Sequence, residues 1–455
     1  MRRKWFRNGL GRKNSQANRQ GQVWKTRSSP RSFSRTLERL EDRRLLAAIT
    51  FSAGILTLNG DQDFAGENDN FALARDTSDP SKLNVTVNSD SAEYALSSIT
   101  QINVFGFAGN DSLIVNSTNG LIKVQNGIQY DGGTGFDGLL LLGASTNTSD
   151  ELDVGATPGA GRSLLENGPD FQEIYFQNLE PIIDQVLSSS FMIDAFGTAS
   201  ILNANNAINC TIASEGSITI DNFEPITFEF KDHLIIDSGA GDDTVNVSFQ
   251  GEELPSGADF DTLQDITVNG QDPTASDTLI VNGTINSDTI DYRPGSTVGS
   301  GEVDINSNPA VIFNTMESVV IDGQGGNDAL RYTTPSNDGQ GSILTLTPSV
   351  DGDSSTVTGR PAFGASYVPL IFQHIGINGS IEFTSTNEGR ADYLDVYGSS
   401  AADQFNLDPD DGGSLDMYRL DEPGDVRVAV EILTPSISTL ALHGRDGDDE
   451  FNVVC

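Results

Sequence analysis

Apolar side chains along most of this chain stand at every second position, in short runs separated by Gly, Asn, Asp, Ser and Thr. Five segments align without gaps: 105–111, 131–137, 237–243, 322–328 and 443–449. Their fifth position is Gly109, Gly135, Gly241, Gly326 and Gly447, and their seventh is Asp111, Asp137, Asp243, Asp328 and Asp449. The second position is Gly106, Gly132, Gly323 and Gly444, with Ser238 as the exception. Before each turn stand pairs such as Ile102/Val104 and Leu234/Ile236, and after each aspartate pairs such as Leu113/Val115 and Val245/Val247. A period of two buries one face of a strand, and a tight turn with positive φ favours glycine. The repeated unit is therefore strand, glycine turn, aspartate, strand.

Taken in order, the alternation predicts strands at Ile55–Leu58, Asn70–Ala74, Leu83–Val87, Ile99–Val104 and Leu113–Val115. Asp69 and Asp111, Asp288 and Asp328, and Asp403 and Asp449 bracket modules of about forty to forty-five residues, a length typical of stacked supersecondary repeats. Asp137, Asp277 and Asp392 each open a further Asp-x-Leu strand, so successive modules join without a long linker. The fold class expected is all-β, a repetitive parallel β-helix or β-roll-like solenoid preceded by a disordered basic N-terminal arm. The other arrangement open to the same pattern is an array of small β-sandwich modules, in which the strands beside each glycine turn would form a hairpin. The domains expected are a basic leader with a sorting motif, 1–48, and a repetitive β domain, 49–455, with modules at about 53–116, 128–250, 264–334 and 379–455. Residues 151–233 lack the glycine turn and read as a degenerate rung with strands at Glu173–Phe176, Ile201–Leu202 and Ser217–Ile220. Residues 335–378, with Pro335, Pro348, Pro361 and Pro369, read as an inserted loop. The sequence stops at Cys455, directly after the strand of the last glycine turn, which reads as a shortened product of a longer ancestral array, the alternative being that Cys455 pairs with another molecule.

Charge divides the 455 residues in two. Residues 1–46 carry 14 Lys and Arg against Glu38, Glu41 and Asp42, while the remaining 409 hold 62 acidic and 12 basic residues, a net of −50. Such a body attracts cations and repels polyanions, so nucleic-acid binding would fall to the arm alone. Cys210 and Cys455 are the two cysteines, too few for a disulfide scaffold. No run of 18 apolar residues is present, so no transmembrane span is expected.

Two resemblances sharpen the picture. Leu37-Glu38-Arg39-Leu40-Glu41-Asp42-Arg43-Arg44-Leu45-Leu46-Ala47-Ala48 resembles the LEPR-XLL-type N-terminal segment of large exported bacterial proteins, with Asp42 in its Pro/Asp position. The resemblance implies export to the cell surface or beyond. The same segment, from Thr36 to Ala48, also reads as an amphipathic helix. Gly132 to Leu140 fits Gly-Gly-x-Gly-x-Asp-x-apolar-x and resembles the calcium-binding nonapeptide of hemolysin-type (RTX) proteins. That resemblance implies a calcium ion shared between rungs, with Gly133, Gly135 and Asp137 as the foremost ligands, followed by Asp243 with Asp242, Asp328, Asp449 and Asp111. Weak extracellular-type affinity is expected, roughly 10⁻⁴–10⁻³ M. The competing use of each aspartate is to accept backbone N–H groups of its own turn.

Enzyme signatures are absent. His233, His374 and His443 have no metal-ligand spacing, and there is no Gly-x-Ser-x-Gly elbow or phosphate-binding Gly-Lys-Ser/Thr. The function expected is an exported cell-surface or extracellular structural or adhesion-type repeat protein stabilised by weakly bound calcium, with surface or matrix components, carbohydrate among them, as partners. The alternatives are a carbohydrate-active β-helix lyase or hydrolase, and nucleic-acid binding through the basic arm.

Overall fold

A computed structural model of the protein describes residues 48–61, 66–143, 148–195, 205–250, 263–271, 276–335, 341–349, 352–385, 392–410, 413–420, 426–427 and 431–453. The basic arm, the helix expected at Thr36–Ala48 except its last residue, the strand expected at Ile201–Leu202 and Cys455 lie outside these residues. Among the described residues the regular structure is β, apart from one 3-10 turn at Leu96–Ser98.

The chain winds between two sheets. Gln101–Phe105 lies in the first sheet, between Ile55–Asn59 and Ile128–Asp131, parallel to both. After the glycine turn, Ser112–Asn116 lies in the second sheet, between Asn70–Arg75 and Gly138–Gly143, again parallel to both. The two strands beside a glycine turn thus belong to different sheets, and the hairpin of the sandwich arrangement does not form. This is a parallel β-solenoid. Its register stacks like on like: Ile102 on Ile128, Val104 on Tyr130, Leu113 on Leu139, Val115 on Leu141. These inward positions are buried, each large apolar side chain stabilising the stack by about 1.5–3 kcal/mol. Aromatic residues continue the pattern. Tyr332 sits in register with Tyr292 on one coil and Phe383 on the other, with ring centroids 5.2 and 5.7 Å away.

Antiparallel excursions interrupt the parallel stacking. In the first sheet Ser149–Val154, Gly161–Asn167 and Asp170–Gln177 form one meander, and Thr289–Pro294, Gly301–Ile305 and Ala310–Asn314 another. In the second sheet Asn70–Arg75, Lys82–Val87 and Asp90–Ala95 do the same. The two spacings of the sequence follow from this. A plain coil separates Asp111 from Asp137, 26 residues apart, and a coil plus a hairpin separates Asp69 from Asp111, 42 apart.

Three local expectations need correction. Asp90–Ala95 is a strand that the apolar pattern did not mark, because its side chains are mostly exposed. Within the degenerate stretch, Ser190–Asp194 pairs in parallel with Ser149–Val154 and with His233–Asp237, so it is a regular rung without a glycine turn. The proline-rich insertion is a hairpin of the second sheet, Ser342–Pro348 with Ser355–Pro361, and its two strand prolines stand at strand ends, where the ladder needs no N–H.

Candidate functional site

Two corners join the sheets, and the repeated aspartates line them. Asp69, Asp111, Asp137, Asp243, Asp277 and Asp392 stand where the chain enters the second sheet. Asp288, Asp328, Asp403 and Asp449 stand where it returns to the first. Each is the last residue before a strand, except Asp403, which is the first residue of Asp403–Asp408. Each side chain thus turns into the corner while the strand begins to pair.

Their hydrogen bonds run between coils. Asp137 Oδ1 accepts the Asp111 backbone N–H at 2.7 Å, and Asp111 Oδ1 accepts that of Asp69 at 2.7 Å. Asp277 Oδ1 accepts from Asp243, whose own Oδ1 accepts from Asn206. At the other corner Asp328 accepts from Asp288 and Asp449 from Asp403. Glutamates close two of these runs: Glu317 Oε2 accepts the Asp277 N–H at 2.9 Å, and Glu180 Oε2 that of Asp137 at 3.4 Å. One residue earlier a second ladder runs with the opposite polarity. Asn110 N–H donates to Asn68 Oδ1, Phe136 N–H to Asn110 Oδ1, Asp242 N–H to Asn205 Oδ1 and Ser276 N–H to Asp242 Oδ1. Bonds within a turn do occur, from Thr284 to Asp288 and from Ser399 to Asp403. The shared element of the corners, however, is the bond to the neighbouring coil. Neither of the sequence readings contains that bond.

The second carboxylate oxygen explains the glycine at the turn's second position. A methyl group on Gly106 would collide with Asp111 Oδ2, and one on Gly323 with Asp328 Oδ2. Asp111, Asp137, Asp243 and Asp328 each bury an Oδ2 with no hydrogen-bond partner in the protein. Desolvation consequently raises the pKa of Asp111 to about 6 and of Asp328 to about 7, against the N–H bonds that favour the anion. Asp137 and Asp243 move in the same direction for the same first reason.

The residues expected to hold calcium do not converge into one donor set. A calcium ion takes six to eight oxygens. Asp111, Asp137, Asp242 and Asp243 are spread along one corner, and Asp328 and Asp449 along the other. Gly133 and Gly135 pack on the coil before them, where a methyl group would meet the backbone of Phe107 and Gly109. Among the described residues no three Asp, Glu, His or Cys side chains are gathered as a metal-binding group.

Two features escaped the sequence reading. The first is an amide ladder on the outside of the second sheet. Asn246 donates to Asn209, Asn282 to Asn246, and Gln324 to Asn282 at 3.0 Å. Asn246, Asn282 and Gln324 line a groove of about 540 Å³ together with Phe249, Thr284 and Ile285, and among the described residues its lining contains no carboxylate and no histidine. The second is a buried charge cluster in the stretch without glycine turns. Lys231 Nζ lies 2.6 Å from Asp150 Oδ2, 2.8 Å from Asp184 Oδ1 and 2.9 Å from the Val186 carbonyl, and the three side chains are fully buried. Position gave the one available signal: Asp150 stands near the start of its strand, as Asp288 and Asp403 do of theirs, yet its register partner on the neighbouring rung is Phe191 rather than an aspartate.

No family model matches the chain, and no curated protein matches it. The class the coordinates define is that of a two-sheet parallel β-solenoid with carboxylate corners.

Proposed function

We propose that this protein is an exported structural or adhesion-type repeat protein of the cell surface or extracellular space. The observation that carries the reading is the use of the repeated carboxylates: the Oδ1 atoms of Asp111, Asp137, Asp243, Asp277, Asp328 and Asp449 are spent on N–H groups of adjacent coils, so the most conspicuous polar motif of the chain serves stacking rather than chemistry. The −50 body disfavours nucleic acid as a partner. Its outer polar ladders favour hydroxyl-rich surface or matrix material, carbohydrate among them. Calcium enters this reading as a diffuse counter-ion of the acidic surface rather than as a ligand of Asp137.

Export is tested by fractionation of the native host, with protease applied to intact cells. The protein is expected at the surface or in the medium, cleaved by added protease, with its first residue beyond the Leu37–Ala48 segment. A full-length, protease-protected protein inside intact cells overturns the proposal.

A further inference from the structure

The Lys231 cluster lies where the corner motif lapses. Asp150 belongs to Ser149–Val154 of the first sheet, Asp184 to Ile182–Val186 of the second, and Lys231 bridges to Ser188 just before His233–Asp237. In register, Asp150 pairs with Phe191 and Phe191 with Leu234, so the lysine side chain reaches across one whole coil to Asp150. Its ammonium also lies 4.6 Å from the centre of the Phe191 ring. The other two lysines described, Lys82 and Lys123, keep 42% and 43% of their side chains exposed, whereas Lys231 keeps 0%.

Two carboxylates and one ammonium out of water leave one negative charge in excess, which a dry interior does not tolerate. The excess is removed by a proton on Asp150. Its carboxyl is held well above the ordinary carboxylate range, first by burial and then by the charge of Asp184. A neutral carboxyl group and an ammonium group thus lie in hydrogen-bonding contact, with water excluded. A second carboxylate, fixed by the Val186 N–H at 2.9 Å, stands beside them. Burial pulls the ammonium's pKa down, but the carboxyl groups beside it outweigh that and hold it up, so the amine is freed only by passing its proton within the cluster.

We propose that Lys231 and Asp150 become joined by an intramolecular isopeptide bond, formed by the folded chain without any added reagent. Asp184 takes a proton from Lys231 Nζ. The freed amine attacks Asp150 Cγ, and a C–N bond forms. Asp184 returns a proton to the departing hydroxyl, the C–O bond breaks, and one water leaves for solvent; Asp184 then takes the second Nζ proton, so that a neutral amide and a neutral Asp184 carboxyl group remain. No electrons are transferred and no activated group is consumed. Fixed contact replaces the concentration that an amine and a carboxylic acid would otherwise need, and release of the water to bulk from a dry site drives the condensation forward. Asp184 is the acid/base residue, and Asp150 the acyl donor. The product ties two coils one rung apart, in the stretch that lacks the glycine-aspartate corners.

The test is peptide mass spectrometry on the full chain, purified folded and then digested after denaturation. The expected result is a branched peptide carrying both the Asp150 and the Lys231 segments, one water lighter than their sum, with fragment ions that place the link at those residues. In Asp184→Asn, checked as folded by circular dichroism, the link should form at least about a hundred-fold more slowly, the scale of lost acid/base catalysis. Linear peptides alone from the folded wild type overturn the proposal. So does a water loss confined to a single linear peptide, as from an Asp-Gly imide, or a link placed at Asp184. An undiminished link in Asp184→Asn overturns the role given to Asp184.

Discussion

At Asp328 two opposing demands meet in one side chain. Oδ1 accepts the Asp288 N–H at 2.8 Å, which favours the carboxylate, while Oδ2 is buried against the turn without a partner, which disfavours it. Burial wins and lifts the folded pKa to about 7, against about 4 for an unfolded aspartate. Asp111 follows at about 6. The folded state therefore holds more protons than the unfolded chain between those values. The stability this confers is complete below about pH 4 and is lost as pH rises through about 7. The melting temperature should accordingly fall between about pH 5 and about pH 8, and Asp328→Asn should flatten part of that fall, since the amide keeps the acceptor at Oδ1 and cannot ionise. Self-repulsion of an acidic surface also eases on acidification, and the variant separates the two causes. Parallel melting curves for wild type and Asp328→Asn across that range would rule out the corner as a source. Cys210, by contrast, is simply inert, its buried thiol pushed up to about 12.

The corner turn is the element through which the fold can be read. Glycine at its second position, aspartate at its seventh and period-two flanks give the strands of both sheets, because burial alternates with the pleat at Leu113 and Val115 as it does at Val245 and Val247. Pairing partners were not legible. Alternation says which face of Ser112–Asn116 is buried, but it is equally compatible with a hairpin to Gln101–Phe105 or with parallel neighbours one coil away. The cross-coil bond of Asp111 is likewise hidden, since its donor, the N–H of Asp69, is 42 residues distant. Lys231 was illegible for a related reason: nothing in the segment Phe230-Lys231-Asp232 marks an inward lysine until the partners on Ser149–Val154 and Ile182–Val186 are in place. What the turn does fix is where space is lacking. Gly323→Ala puts a methyl group into Asp328 Oδ2 and the backbone of the next coil, whereas a methyl group on Gly138 would meet nothing nearer than 3.7 Å. Urea unfolding should show Gly323→Ala destabilised by about 1–3 kcal/mol, the range of overpacking, with Gly138→Ala close to wild type. Equal losses in the two variants would place the cost in the strands rather than in the corner.

Across the whole molecule the strongest unbalanced force is charge. The 409 residues after the arm carry a net of −50, and salt bridges answer little of it. Among the described residues Lys82 and Lys123 pair with single exposed acids, and Arg162, Arg293 and Arg331 each sit among several. Repulsion of this size loosens a compact state and is screened by ions within about 10 Å at moderate salt. Divalent cations should therefore raise the melting temperature, and the two uses of calcium part company on selectivity. A diffuse atmosphere responds to charge alone, so magnesium should work as well as calcium at equal concentration, and Asp137→Asn should leave the response intact. A coordinated site of six to eight oxygens responds to ion size and discriminates sharply between the two. Thermal unfolding in matched calcium and magnesium series decides between them. A calcium-selective rise that Asp137→Asn abolishes would return the corner aspartates to the role of ligands, with the unpartnered Oδ2 of Asp137 as the oxygen free to bind while Oδ1 keeps the Asp111 N–H it accepts at 2.7 Å.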